Sequence, residues 1–202
     1  MKSILTPLRV KLAGELKGRI MDCGAGEGLF NQYLRQPGNE VISLDIDAEA
    51  VRKLPGKSVV ASCTAIPFAD SYFDAVWACA IIEHVSEDVL PEMIRVTRPG
   101  GRIIAITPNR HSPFEPVKAL LGLPTWRQME GHVRLYTTQQ LRFYGDVYGE
   151  TRFLPFVGWF FWTHPQLANV LIVDIRVTEA LKQKITRLFS RPDSTRATGF
   201  RP

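Results

Sequence analysis

The apolar residues of this chain fall into short blocks separated by polar, glycine-rich turns. Ile20-Met21 with Cys23, Val41-Ile42 with Leu44, Val59-Val60-Ala61, Phe73 to Ala80 and Ile103 to Ile106 are each about as long as a buried strand. Between them lie stretches whose apolar spacing predicts helices, at 27–36, 47–54, 87–97 and 139–148. Strands alternating with helices predict a three-layer α/β fold with a mainly parallel sheet. Residues 4–18 read as short and weakly helical. A sixth strand is expected at 151–156, then a helix over 165–189 with Leu167, Val170, Leu171, Val173, Ile175, Leu181, Ile185 and Leu188 on its apolar positions.

One junction carries chemistry. Arg19-Ile20-Met21-Asp22-Cys23 runs into Gly24-Ala25-Gly26-Glu27-Gly28, and a helical stretch follows. Glycines let the backbone take positive φ and let a ligand approach the main chain. A helix start offers free N–H groups to an oxygen-bearing ligand. The dinucleotide fingerprint needs its third glycine one place later, where Leu29 stands, which disfavours a nicotinamide-dependent dehydrogenase. No Gly-Lys-Ser/Thr triplet follows, so the phosphate loop of nucleotide hydrolases is excluded. A plain strand-to-helix turn with no ligand is the remaining alternative for the glycines alone.

Preceded by Asp22, the Gly-x-Gly-x-Gly turn resembles the first motif of the class I S-adenosylmethionine-dependent methyltransferases. A longer match follows. Ser62-Cys63-Thr64-Ala65-Ile66-Pro67-Phe68, with Ser71-Tyr72-Phe73-Asp74-Ala75-Val76 behind it, is similar to the Gly-Asp-Ala-x-x-Leu-Pro-Phe…Ser-Phe-Asp-x-Val signature of the small-molecule, ubiquinone/menaquinone-biosynthesis-like (type 11) methyltransferases. Ile81-Ile82-Glu83-His84-Val85, Arg95 to Arg102 and His132-Val133-Arg134-Leu135-Tyr136-Thr137 resemble further segments of the same family.

The resemblance covers roughly residues 18–150 and implies a Rossmann-like sandwich and an enzyme with a donor site for S-adenosylmethionine, with S-adenosylhomocysteine as product. It implies that Asp22, Gly24, Ala25 and Gly26 pass the amino-acid part of the cofactor. Asp45, after the second strand, would hold the ribose hydroxyls; a cap on the following helix is its alternative. Ile46, Ser62, Cys63 and Thr64 would flank the adenine, and Ala78 would mark the strand end near the methionine part. Ser62 stands where the family has an aspartate, so weaker cofactor binding is expected.

Glu83, His84 and His132 are the candidate catalytic residues. A histidine beside a glutamate can act as a general base near pH 7; buttressing of the loops is the alternative. No acidic cluster suggests a required metal, and none is expected. Relatives close their sheet with a seventh strand. Here only Ala197 to Phe200 remain for it, so that last strand is expected to be reduced or missing, with an amphipathic C-terminal helix in its place.

Composition adjusts the picture in the tail. The chain of 202 residues fits one domain, a cofactor-binding core over 1–150 and an extension over 151–202. The net charge of +5 comes wholly from the extension, which holds 8 Lys and Arg against 3 Asp and Glu. The extension also holds five aromatics between Phe156 and Trp162. Aromatics with a basic amphipathic helix suit a lipid-like acceptor or peripheral contact with a membrane surface. A nucleic-acid methyltransferase, prompted by the same charge, is disfavoured because no Asn/Asp-Pro-Pro-Tyr/Phe motif follows strand four. A cofactor-binding protein without transfer activity is the other alternative. Three widely spaced cysteines argue against a disulfide framework and against a zinc site, and they fit a reducing cytoplasm. No segment reads as a signal peptide or a membrane span. The acceptor, if written in the chain, lies in the loop at 108–136 and in the tail.

Overall fold

The computed structural model describes residues 5–128, 131–150 and 162–189. Its centre is one seven-stranded sheet formed by β1 (Arg19–Cys23), β2 (Glu40–Asp45), β3 (Lys57–Val60), β4 (Phe73–Cys79), β5 (Thr97–Pro108), β6 (Asp146–Glu150) and β7 (Val170–Arg176). The spatial order is β3-β2-β1-β4-β5-β7-β6. The first five strands are parallel, and β7 runs antiparallel between β5 and β6. The chain winds from β1 outward to β3, then restarts on the other side of β1 with β4. That reversal opens a crevice beyond the carboxyl ends of β1, β2 and β4, where open α/β sheets bind ligands.

Side-chain alternation divides the core between the two faces of the sheet. Met21, Val76, Ala78 and Ile103 face one side, beneath α4 (Leu90–Val96) and α7 (Glu179–Phe189), whose Leu90, Met93, Ile94 and Ile185 pack onto them. Ile20, Trp77, Ile104 and Ile106 face the other, against Leu12, Ala13 and Leu16 of α1 (Pro7–Glu15) and against Phe30 and Leu34. Thr6 caps α1 and Pro7 opens it. On the same helix Arg9 forms a buried ion pair with Glu150 of β6 at 2.6 Å.

Several sequence-based expectations change. The helix expected over 27–36 is only α2 (Asn31–Leu34), because Gly28 sits at φ +75° and a helix cannot propagate through a left-handed residue. The helix expected over 47–54 is α3 (Ala48–Arg52). That over 139–148 is α6 (Thr138–Arg142), held by a capping box of Thr137 and Gln140. Val147 and Tyr148 lie instead in β6.

The main correction concerns the last strand. The chain has a complete seventh strand, Val170–Arg176, inside the segment expected to be helical. Its run Val-Leu-Ile-Val-Asp-Ile-Arg is apolar on both faces because Leu171, Val173 and Ile175 enter the core on one side of the sheet and Val170 and Ile172 the core on the other. A short buried run of that kind has no periodicity that separates strand from helix. The C-terminal amphipathic helix is present but starts only at Glu179. The long loop after β5 also contains a helix, α5 (Phe114–Leu120). The strand expected at 151–156, the aromatics up to Phe161 and the segment 197–200 lie outside the described residues.

Candidate active site

The glycine turn at the end of β1 is held by the neighbouring strand. The Gly24 and Ala25 amides donate to Leu44 O at 2.8 and 3.1 Å. Gly24 and Gly26 have φ of +71° and +48°. The two glycines do different things. A Cβ on Gly24 would lie 2.6 Å from Ile81 Cβ, whereas one on Gly26 would meet nothing within 4 Å. Gly24 permits close packing, and Gly26 leaves its face of the loop open to the crevice. The Gly26 amide donates to Asp45 Oδ2 at 2.7 Å, and the Asp47 amide donates to Asp45 Oδ1 at 3.0 Å. The helix that follows is capped by Asp47, not Asp45: Asp47 Oδ1 accepts from Glu49 N and Ala50 N. Asp45 is thereby set free of the capping role and faces the glycine loop. Beside it, Ile46 is 75% exposed, an apolar side chain open to solvent at the end of β2.

Beneath the loop lies a cavity of about 240 Å³ lined by Asp22, Gly24, Ala25, Phe30, Cys79 and Ala80, among others. Asp22 is buried, and burial pushes its carboxyl up to about 7, against the hydrogen bond that Asn31 Nδ2 donates to its Oδ2 at 2.7 Å. Asn31 also donates to Ser43 Oγ at 3.1 Å, which ties the turn to β2. Ala80 takes φ +59°, a left-handed conformation costly for a residue with a Cβ, and it borders the cavity. Ala78 is not among the lining residues. It is fully buried on the other face of the sheet, and Cys79 and Ala80, the next two residues, take its place at the cavity. Burial pushes the Cys79 thiol up to about 12.

On the β3 side, the Ser62 and Thr64 hydroxyls share a hydrogen bond at 2.8 Å, and Thr64 N donates to Ser62 Oγ at 3.2 Å. The serine in the family's aspartate position therefore first closes its own turn. Cys63 is buried and shares a hydrogen bond with Cys23; this bond and burial hold the Cys23 thiol well above its ordinary range.

His132, distant in sequence, comes together with the adjacent candidates Glu83 and His84. Glu83 and His84 form a 3-10 turn after β4, and His132 approaches from the segment after α5. The two imidazole rings meet edge to face with centroids 4.9 Å apart. Glu83 is 1% exposed, and burial pushes its carboxyl up to about 7. Burial lowers the His132 pKa. Tyr136 is buried, its hydroxyl has no hydrogen-bond partner among the described residues, and burial pushes its pKa up. Asn31, Phe30 and Ala80 are site residues that sequence reasoning missed; Asn31 and Phe30 sit inside an ordinary helical pattern, and no local signal marks Ala80.

The donor crevice fits S-adenosylmethionine in kind. It offers a buried acid and a second acid to a ligand with cationic groups and a ribose diol, an open glycine face for close approach, and an exposed apolar side chain for a flat ring. Fold and crevice together define a protein of the class I methyltransferase architecture. The family model described as "Methyltransferase domain" matches residues 21–105. A demethylmenaquinone methyltransferase of Beutenbergia cavernae is 33% identical over 157 residues, covering 70% of this chain and 65% of that protein. One of Renibacterium salmoninarum is 28% identical, covering 75% and 71%. A malonyl-[acyl-carrier protein] O-methyltransferase of Erwinia billingiae is 33% identical over 105 residues, covering 48% and 41%. The chain thus spans less than two thirds of the first of these relatives and under half of the last. A solved structure, a SAM-dependent methyltransferase from Archaeoglobus fulgidus, shares the fold with a TM-score of 0.59 at 16% identity, covering 84% of this chain and 90% of that one. These matches make the chain similar to the class I S-adenosylmethionine-dependent methyltransferases of the type 11 kind.

Proposed function

We propose that the protein transfers the methyl group of S-adenosylmethionine to a small-molecule or lipid-like acceptor. The observation that carries the donor half is the meeting of Asp45 with the Gly26 amide above a cavity floored by Asp22. In this reading Gly24, Ala25 and Gly26 pass the amino-acid part of the cofactor, with Asp22 beneath its ammonium. Each Asp45 oxygen has a second lone pair for a ribose hydroxyl. Ile46 covers the adenine, and Ser62, Cys63 and Thr64 border its edge. The bound cofactor supplies an electrophilic methyl group on a sulfonium, available to in-line displacement. The protein's own contribution is alignment and exclusion of water, which can lower a barrier by about 7–11 kcal/mol for well-oriented reactants. A hydroxyl acceptor also needs somewhere for its proton, and Glu83, His84 and His132 are the titratable groups gathered on that side.

The acceptor reading rests on the loop after β5. Val117 and Leu120 of α5, with Leu121 and Leu123 just after it, are all at least half exposed, and Leu120 is 87% exposed. Such a surface suits an apolar acceptor or the membrane that holds one, and two relatives are named for demethylmenaquinone. No helix among the described residues is long and apolar enough to cross a membrane. The basic C-terminal helix supports peripheral contact less directly. Lys182 is turned inward onto Ser71 Oγ and Arg95 O, and Lys184 lies over the Phe143 ring.

Calorimetric titration with S-adenosylhomocysteine, followed by incubation with labelled S-adenosylmethionine and quinone or acyl acceptors, tests the proposal. Saturable binding and label transfer are expected. Absence of cofactor binding by the folded protein would overturn it.

A further inference from the structure

We propose that Glu83, His84 and His132 form a binding site for a divalent transition-metal cation of the zinc type. One ligand atom of each residue lies within 4.8 Å of those of the other two. The ligand chemistry is set by what surrounds them. His84 Nδ1 is 2.9 Å from Gly131 O, and His132 Nδ1 is 3.0 Å from Trp126 O. A carbonyl oxygen only accepts, so both Nδ1 atoms carry the proton and donate. Each neutral ring then keeps its lone pair on Nε2. A second N–H held by a backbone carbonyl is the usual support of a metal-bound histidine, because it sets both tautomer and ring orientation.

The third member supplies the charge. Glu83 is buried with the Thr107 hydroxyl close to its carboxylate, yet its Oε2 completes no hydrogen bond among the described residues. A buried carboxylate oxygen without a partner is costly. A cation between it and the two imidazoles satisfies it and neutralises its charge.

The backbone holds the three together. Val133 N and Arg134 N both donate to Glu83 O at 3.0 Å, so the segment carrying His132 is bound to the turn carrying Glu83 and His84. Gly131 has φ +82°, and a Cβ there would lie 2.9 Å from His84 Nδ1. Only glycine brings this carbonyl so close to the ring. Two imidazoles and one carboxylate suit zinc and its neighbours; magnesium and calcium prefer sites made of oxygen alone. Bonds of about 2.0–2.2 Å would draw the three ligand atoms inward and leave a fourth position open. The sequence-based expectation of no metal weighed acidic clusters and cysteine spacing and did not weigh histidines from distant segments.

The full chain, stripped with a chelator, is titrated with Co²⁺ as a spectroscopic probe and then with Zn²⁺ in competition. One equivalent is expected to bind with visible Co²⁺ absorption. His84→Ala and His132→Ala should each raise the Zn²⁺ dissociation constant at least ~10-fold, and Glu83→Gln should do the same. Circular dichroism checks the fold. If the buried Glu83→Gln variant does not fold, the exposed His84 and half-buried His132 carry the test. No stoichiometric binding by the native chain, or unchanged Zn²⁺ affinity in both folded histidine variants, would overturn the site. Titration of the same samples with S-adenosylhomocysteine reports on the donor crevice separately.

Discussion

The Asp45 carboxylate accepts a hydrogen bond from the Gly26 amide at 2.7 Å, joining the end of β2 to the glycine loop after β1. This bond fixes the acid and the open face of the loop relative to each other. Asp45→Ala is expected to weaken S-adenosylhomocysteine binding by about 10- to 100-fold, the range for loss of hydrogen bonds to a charged group. Calorimetric titration measures it, and unchanged affinity would rule out the donor assignment.

Gly24 and Gly26 should separate stability from binding. Gly24→Ala forces a Cβ against Ile81 at a left-handed backbone position. It should cost about 2–4 kcal/mol in urea unfolding. Gly26→Ala meets open space, so the cost should be only about 1 kcal/mol. In the proposed donor reading it should nevertheless lose cofactor affinity, because its methyl group would occupy the open face that the cofactor passes. Equal loss of stability in the two variants would contradict this division.

Asp22 should make stability pH-dependent. Its folded-state pKa, raised by burial to about 7, lies above the unfolded value of about 4. Between these pH values the folded chain holds a proton that the unfolded chain has released, so stability falls as pH rises through this window. The full effect is on the order of 4 kcal/mol. Asp22→Asn should flatten the slope between pH 4 and 7 in denaturant titrations.

The buried Arg9–Glu150 pair ties α1 to β6, and Thr6 Oγ1 adds a hydrogen bond to Glu150. Breaking a buried pair from one side leaves a charge without compensation. Glu150→Gln should therefore destabilise by about 3–5 kcal/mol, and Arg9→Met in the same background should cost less than it does alone. Additive losses in a double-mutant cycle would show that the two side chains do not act as a pair.

The local features that build the candidate crevice were largely legible in the sequence. Asp22, the three glycines, Asp45 and the Ser62–Val76 signature are local features, each set by what a strand end or tight turn needs within a few residues. Asp45 shows the limit of local reading: its capping alternative was plausible, and only the hydrogen bonds of Asp47 decide against it.

What the sequence determined by itself is the strand–glycine turn–helix start, the parallel half of the sheet and the donor class, because those signals are written in consecutive residues. The tertiary structure decided the rest. Val170–Arg176 is a strand because it lies between β5 and β6, and burial on both faces removes the periodicity that would have identified it. Ala78 turns away from the cavity, and Ala80 borders it. Glu83, His84 and His132 become one cluster only when Glu83 O accepts from Val133 N and Arg134 N. That convergence depends on a contact between segments far apart in the chain, and no spacing within either segment encodes it.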